Sequence, residues 1–165
     1  PLDSPQILVM LGGNNKRYDV STYIIERIAN EIFDYAKRNN ARLIFIPSRR
    51  TPKKVRMLFE KLDKDKKHIF WDGEGGNPYP NIFSIADEII VTSDSVNMVT
   101  EACLFGRPVI IAHWEEEQGR LAKFHEIMEE NGYTIPLSKA GEAFKPKILN
   151  QMPLIAQKIN TILDT

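Results

Sequence analysis

Short apolar runs alternate along the chain with longer segments whose apolar residues recur at helical spacing. Gln6 to Leu11, Arg42 to Pro47, His68 to Trp71, Glu88 to Thr92 and Val109 to Ala112 are the runs, and each reads as a strand buried on both faces. Between the first two, Ile24, Ile28 and Ile32 recur one helical turn apart with Ile25, Ala29 and Phe33 beside them, which predicts an amphipathic helix ending at Asn39 and Asn40. A second helix is predicted with Thr51 as N-cap and Pro52 at its first position, turning Val55, Leu58, Phe59 and Leu62 inward. The fourth run leads through Ser93-Asp94-Ser95 into a helix that carries Val99, Ala102 and Cys103 and stops at Gly106 and Pro108. Two further helices are predicted, from Leu121 to Asn131 with Gly132 closing it, and from Pro153 to Leu163.

Strands separated by helices require long, right-handed crossovers, and therefore a mostly parallel sheet with helices on both faces. The expectation is an α/β, three-layer, Rossmann-like domain, a single unit over residues 1–165, with about five or six strands in the order 3-2-1-4-5. In that order the winding reverses between the first and fourth strands, and a ligand crevice opens at their carboxyl ends. The loop Gly12-Gly13-Asn14-Asn15 and the loop Ser93-Asp94-Ser95 would flank it.

Composition narrows the function classes. The chain has 165 residues, with 22 basic and 22 acidic side chains and zero formal net charge, so no whole-surface positive field favours nucleic acid. Any anion site must be local. Cys103 is the sole cysteine, which excludes an internal disulfide framework, and no apolar stretch approaches the ~18 residues of a membrane span. A reducing, cytoplasmic setting is expected, peripheral to a membrane only through a further domain. The chain begins Pro-Leu-Asp without an initiator methionine, which reads as a processed protein or a piece of a longer one.

Candidate chemistry gathers at the predicted crevice. Gly12 and Gly13 lack a β-carbon, so phosphate can approach their amides, although a tight strand-to-helix turn would use the same glycines. The dinucleotide fingerprint is missing, because Asn14, Asn15, Lys16 and Arg17 follow, and the second strand ends in Ser48-Arg49-Arg50 where NAD would need an acid. Arg49 and Arg50 suit phosphate oxygens, and a 2′-phosphate among them keeps an NADP-binding domain as a minor alternative. At least one of the pair is expected to bind a surface carboxylate instead. Ser95 is the expected N-cap of the helix after the fourth strand, leaving the amides of Val96 and Asn97 for an anion, with Ser93 and Asp94 just before them. Glu101 follows Asn97 by one turn on the same face, where a carboxylate accepts both hydroxyls of a ribose.

The loop from Trp71 to Pro80 is long and rich in Gly and Pro; Trp71 or Tyr79 would flank a base or sugar, and Asp72 or Glu74 would contact hydroxyls. Trp71 as plain core is the alternative. His113, His125 and the run Glu115-Glu116-Glu117 show no metal-ligand spacing, so a solvated helix start is expected there and no metal. Cys103 sits on an apolar helix face without a histidine partner, which argues against a nucleophile.

Several of these stretches together resemble the elongated-mitochondria, or mitochondrial fission, family. They are Ser48-Arg49-Arg50-Thr51-Pro52, Trp71 through Gly73-Glu74-Gly75 to Asn77-Pro78-Tyr79, Ala86-Asp87, Val91 to Ser95 with Glu101-Ala102, Gly106-Arg107-Pro108, and Lys123-Phe124-His125. They span most of residues 8 to 137. The resemblance implies a likeness to the C-terminal, donor-binding domain of GT-B glycosyltransferases, in which the pattern Glu101-Ala102 with Gly106 and Pro108 is similar to a ribose-binding helix. It implies a nucleotide diphosphate sugar as donor substrate and no separate cofactor. GT-B enzymes have two such domains, so the N-terminal acceptor domain would be a missing partner, and no catalytic base is assigned within this chain. Plant members of the family are associated with recruiting a dynamin-related fission protein, which leaves a non-catalytic interaction module with a protein partner as the alternative.

Overall fold

The computed structural model describes residues 3–13, 20–74, 76, 78–142 and 144–149. The Pro153 to Leu163 helix expected from the sequence, and Asn14 to Arg17, lie outside them. Strands β1 (Gln6–Leu11), β2 (Arg42–Pro47), β3 (Ile69–Phe70), β4 (Glu88–Thr92), β5 (Val109–Ala112) and β6 (Ile135–Pro136) form one sheet, in the order β3-β2-β1-β4-β5-β6 with every pairing parallel. Helices α1 (Thr22–Arg38), α2 (Lys53–Leu62), α3 (Tyr79–Ile85), α4 (Val96–Ala102) and α5 (Gly119–Glu130) lie between the strands. This is the three-layer α/β Rossmann-like fold that the alternation of runs and helices requires.

Pleating assigns the strand residues to two cores. Ile7, Val9 and Leu11 of β1 join Leu43 and Phe45 of β2 beneath α1 and α2. Leu8 and Met10 point the other way and pack with Ile89 and Val91 against α3, α4 and α5. Full burial of such a side chain stabilises the fold by roughly 1.5–3 kcal/mol, which explains why the central strands carry apolar residues on both faces. The chain winds outward from β1 to β3 on one face and then from β4 to β6 on the other. The reversal therefore falls between β1 and β4, paired through Ile7 with Glu88 to Met10 with Val91.

Local chemistry moves several boundaries. Thr51 does not cap α2; its N-cap is Pro52, and the Thr51 hydroxyl meets the carbonyls of Leu11 and Gly12 at 2.7 and 2.8 Å, tying the end of β2 to the end of β1. The third strand is shorter than the run His68 to Trp71, because the Leu43 amide donates to the His68 ring Nδ1 (3.1 Å) in place of a backbone carbonyl. α4 gives way after Ala102 to a 3-10 turn, Cys103–Phe105, that closes on Gly106 at φ 65°, a left-handed conformation natural to glycine. Part of the expected Trp71 to Pro80 loop is helical: α3 starts at Tyr79 and buries Phe83. Among the described residues no helix is long and apolar enough to cross a membrane.

Candidate functional site

The loops after β1 and β4 touch, as the reversal of winding demands. The Gly12 amide donates to the Thr92 hydroxyl (2.7 Å) and the Gly13 amide to Oδ2 of Asp94 (2.9 Å). Trp114, just past β5, donates from its indole Nε1 to Oδ1 of the same carboxylate (2.8 Å). A β-carbon at Gly12 would strike the Asp94 carboxylate, and one at Gly13 would strike the Arg50 carbonyl. Both glycines thus allow close approach of the chain to itself. Both amides have acceptors within the chain, Thr92 for Gly12 and Asp94 for Gly13, at the place where a phosphate was expected from the sequence. Burial raises the Asp94 carboxyl above its ordinary value, and hydrogen bonds from Thr92, Trp114 and Gly13 only partly offset this.

The start of α4, next along the same edge, is different. Ser95 caps the helix as expected, its hydroxyl accepting from the Met98 amide (3.4 Å). The amides of Val96 and Asn97 have no acceptor among the described residues, as is usual for the first turn of a helix. Asn97 and Glu101 are both exposed, one turn apart. Tyr79 stacks on Phe83 with ring centroids 5.7 Å apart, and its phenol is raised by burial and then by the charge of Glu101, so the structure brings Tyr79 and Glu101 within electrostatic range. Arg49 and Arg50 are exposed at the carboxyl end of β2, and neither guanidinium is paired with a described carboxylate.

Trp71 is half-buried against the core beneath α3 and α4, and its Nε1 donates to the Glu74 carbonyl (3.2 Å). Glu74 itself is exposed, and its amide donates to Oδ1 of Asp72 (2.8 Å). Its loop thus folds on itself. Asn14 lies outside the described residues.

Sequence reasoning missed the layer behind the crevice. Ser93 is buried; its hydroxyl accepts from the Trp114 amide (3.3 Å) and its carbonyl from Nε2 of His125 (2.7 Å). Arg27 of α1 donates to the carbonyls of His113 and Trp114, holding the turn after β5. Glu117 is not solvated: its side chain is 6% exposed, and His113 Nδ1 lies 2.6 Å from its Oε2. Burial would raise the Glu117 carboxyl, yet the hydrogen bond with His113 leaves it below its ordinary value. Burial also lowers His125, which favours a neutral ring. The signal available was position: Trp114 and His113 follow a strand on the ligand edge, as Ser93 and Asp94 do. Cys103 is buried and its thiol pushed up to about 12 by burial, as an inert core residue should be.

A cavity of about 350 Å³ opens at the opposite, amino edge of the sheet, among Pro5, Asn39, Asp87 and Pro108. Beside it Tyr35 donates to Glu88 (2.7 Å), so these polar groups satisfy one another, and ligands of open α/β sheets bind at the other edge.

An open parallel sheet of this order, with a capped helix at the point of reversal, defines the Rossmann-like α/β class to which the donor domains of GT-B glycosyltransferases belong. Its fold is similar to UDP-GlcNAc 2-epimerase from Methanocaldococcus jannaschii, with TM-score 0.64 and 23% identity over 92% of this chain and 40% of that one. It is also similar to Acinetobacter baumannii MurG, with TM-score 0.50 and 15% identity over 98% and 46%. Residues 1–163 match the family described as Mitochondrial fission ELM1, and the chain belongs to that family. Mitochondrial fission protein ELM1 of Arabidopsis thaliana is 30% identical over 136 residues, which are 79% of this chain and 31% of that protein. The chain thus spans about a third of that relative's length.

Proposed function

We propose that the chain is a nucleotide diphosphate sugar binding domain, the donor half of a GT-B type transferase. The carrying observation is the pair of unengaged amides at Val96 and Asn97, one turn before the exposed carboxylate of Glu101, on the ligand edge of the sheet. Those amides would take an oxygen of the diphosphate, helped by Arg49 or Arg50, while Glu101 accepts the ribose hydroxyls. Tyr79, within electrostatic range of Glu101, would flank the sugar or base. Electrostatic stabilisation of the leaving diphosphate is the whole catalytic contribution assigned to this half, since the donors are fixed before charge develops. The fold relatives support the reading, among them a UDP-GlcNAc 2-epimerase solved with UDP-GlcNAc and UDP. Acceptor and catalytic base would belong to a second domain, consistent with the share of its relatives that this chain covers.

A second reading, an interaction module without turnover, draws on one observation. Of the glycine amides that would face a phosphate, Gly12 is held by the Thr92 hydroxyl and Gly13 by the Asp94 carboxylate, whose charge opposes a second anion there. Calorimetric titration with UDP, GDP and NADP separates the two. The first reading predicts nucleoside diphosphate binding that is lost in Glu101→Ala; binding of NADP alone supports a dinucleotide domain; no binding of the three supports the interaction module.

A further inference from the structure

Behind the crevice, His113, Glu117 and His125 each offer one ligand atom, all within 4.8 Å of one another. Two of these side chains carry buried atoms with nothing to bind: Nδ1 of His125 and Oε1 of Glu117 have no hydrogen-bond partner among the described residues. His125 is 3% exposed, and its Nε2 faces the Ser93 carbonyl at 2.7 Å. A carbonyl only accepts, so the proton of the neutral ring sits on Nε2 and the Nδ1 lone pair is bare. The His113 ring repeats the pattern. Its Nδ1 faces Glu117, and its Nε2 lies 3.9 Å from Oε1 of Glu129. Each imidazole therefore turns Nδ1 inward; the Ser93 carbonyl fixes the His125 ring through Nε2, the arrangement common around metal-ligating histidines, and the His113 Nε2 lies on the side of the Glu129 carboxylate.

We propose that His113 Nδ1, His125 Nδ1 and the Glu117 carboxylate bind a divalent ion of the zinc class, with water in the fourth position. Two imidazoles and one carboxylate suit zinc and its borderline neighbours, whereas magnesium and calcium prefer oxygen ligands throughout. Bonds of about 2.0–2.1 Å in a tetrahedron put ligand atoms roughly 3.4 Å apart, so the trio closes on the ion by small side-chain movements. Binding replaces the His113 to Glu117 hydrogen bond, and the His113 proton moves from Nδ1 to Nε2, so that the ring ligates as a neutral imidazole. His113 is 28% exposed at its side chain, which gives the ion an entry path. The ion would join the turn after β5 to α5 and brace the Ser93 carbonyl behind the crevice, whether or not a nucleotide binds in front.

The test uses the purified chain, stripped with chelator. Zinc is expected to raise its melting temperature in a concentration-dependent way, magnesium to leave it unchanged, and cobalt to give the intense visible absorption of a four-coordinate site that zinc then bleaches. His113→Ala and Glu117→Gln are each expected to weaken binding by about 100-fold or more and to abolish the cobalt spectrum, circular dichroism confirming their fold. His113→Ala keeps the test decisive if buried His125 variants do not fold. Absence of any zinc effect on the native chain overturns the proposal, as does zinc binding that persists unchanged in both variants.

Discussion

Two parts of one sheet edge, a few residues apart, use the same kinds of group to opposite ends. At the meeting of β1 and β4, the amides of Gly12 and Gly13 end on Thr92 and Asp94, and Trp114 completes the carboxylate's bonds. At the start of α4, the amides of Val96 and Asn97 end on no described residue, and Glu101 faces solvent. A glycine pair at a crevice is thus no sign of a phosphate cradle until its amides are followed to their acceptors. The closed part holds the loops together, and the open part is where the proposed ligand would bind.

Substitutions break the comparison in different ways. Gly13→Ala should have the largest effect, because its β-carbon meets a backbone carbonyl that cannot rotate away; a loss of about 3 kcal/mol or more in urea unfolding is expected. Asp94→Ala leaves the Gly13 amide and the Trp114 indole without an acceptor and should lower stability by about 2–3 kcal/mol. Asp94→Asn, which keeps one acceptor, should fall between this and the native chain. Glu101→Ala should leave stability within about 0.5 kcal/mol in the same assay, since the side chain is exposed, while weakening UDP by roughly tenfold or more in calorimetry.

Acid gives the smallest effect. His68 and His125 are both lowered by burial, so the folded chain holds fewer protons than the unfolded one at mildly acid pH. Their contribution is complete above the unfolded value of about 6.5 and is lost as pH falls through the lower folded values. Melting temperature should therefore decline between about pH 7 and pH 5, and His68→Gln should flatten part of the decline.

The sheet was legible because its signal is burial: five runs of apolar residues give strands, and β1, β2, β4 and β5 match their runs to the residue. α3 was not, since Pro78, Pro80 and the glycines before it carry a loop composition, and its helical turn depends on burying Phe83. The two-residue β6 is too short to have a period of its own. At the site, Ser95 as cap and Glu101 one turn past Asn97 are local relations, fixed by helix geometry. Asp94 against Gly13, and Ser93 against His125, join residues 81 and 32 positions apart, and no local pattern encodes such pairings. The His113, Glu117 and His125 group has the same character: its members face one another only once α5 has packed behind β5.

The most direct test of the division between closed and open parts is backbone amide NMR of the chain titrated with UDP. The largest shifts are predicted at Val96, Asn97 and Glu101, with the amides of Gly12 and Gly13 keeping their exchange protection. Largest shifts and lost protection at Gly12 and Gly13, with the start of α4 unmoved, would contradict it.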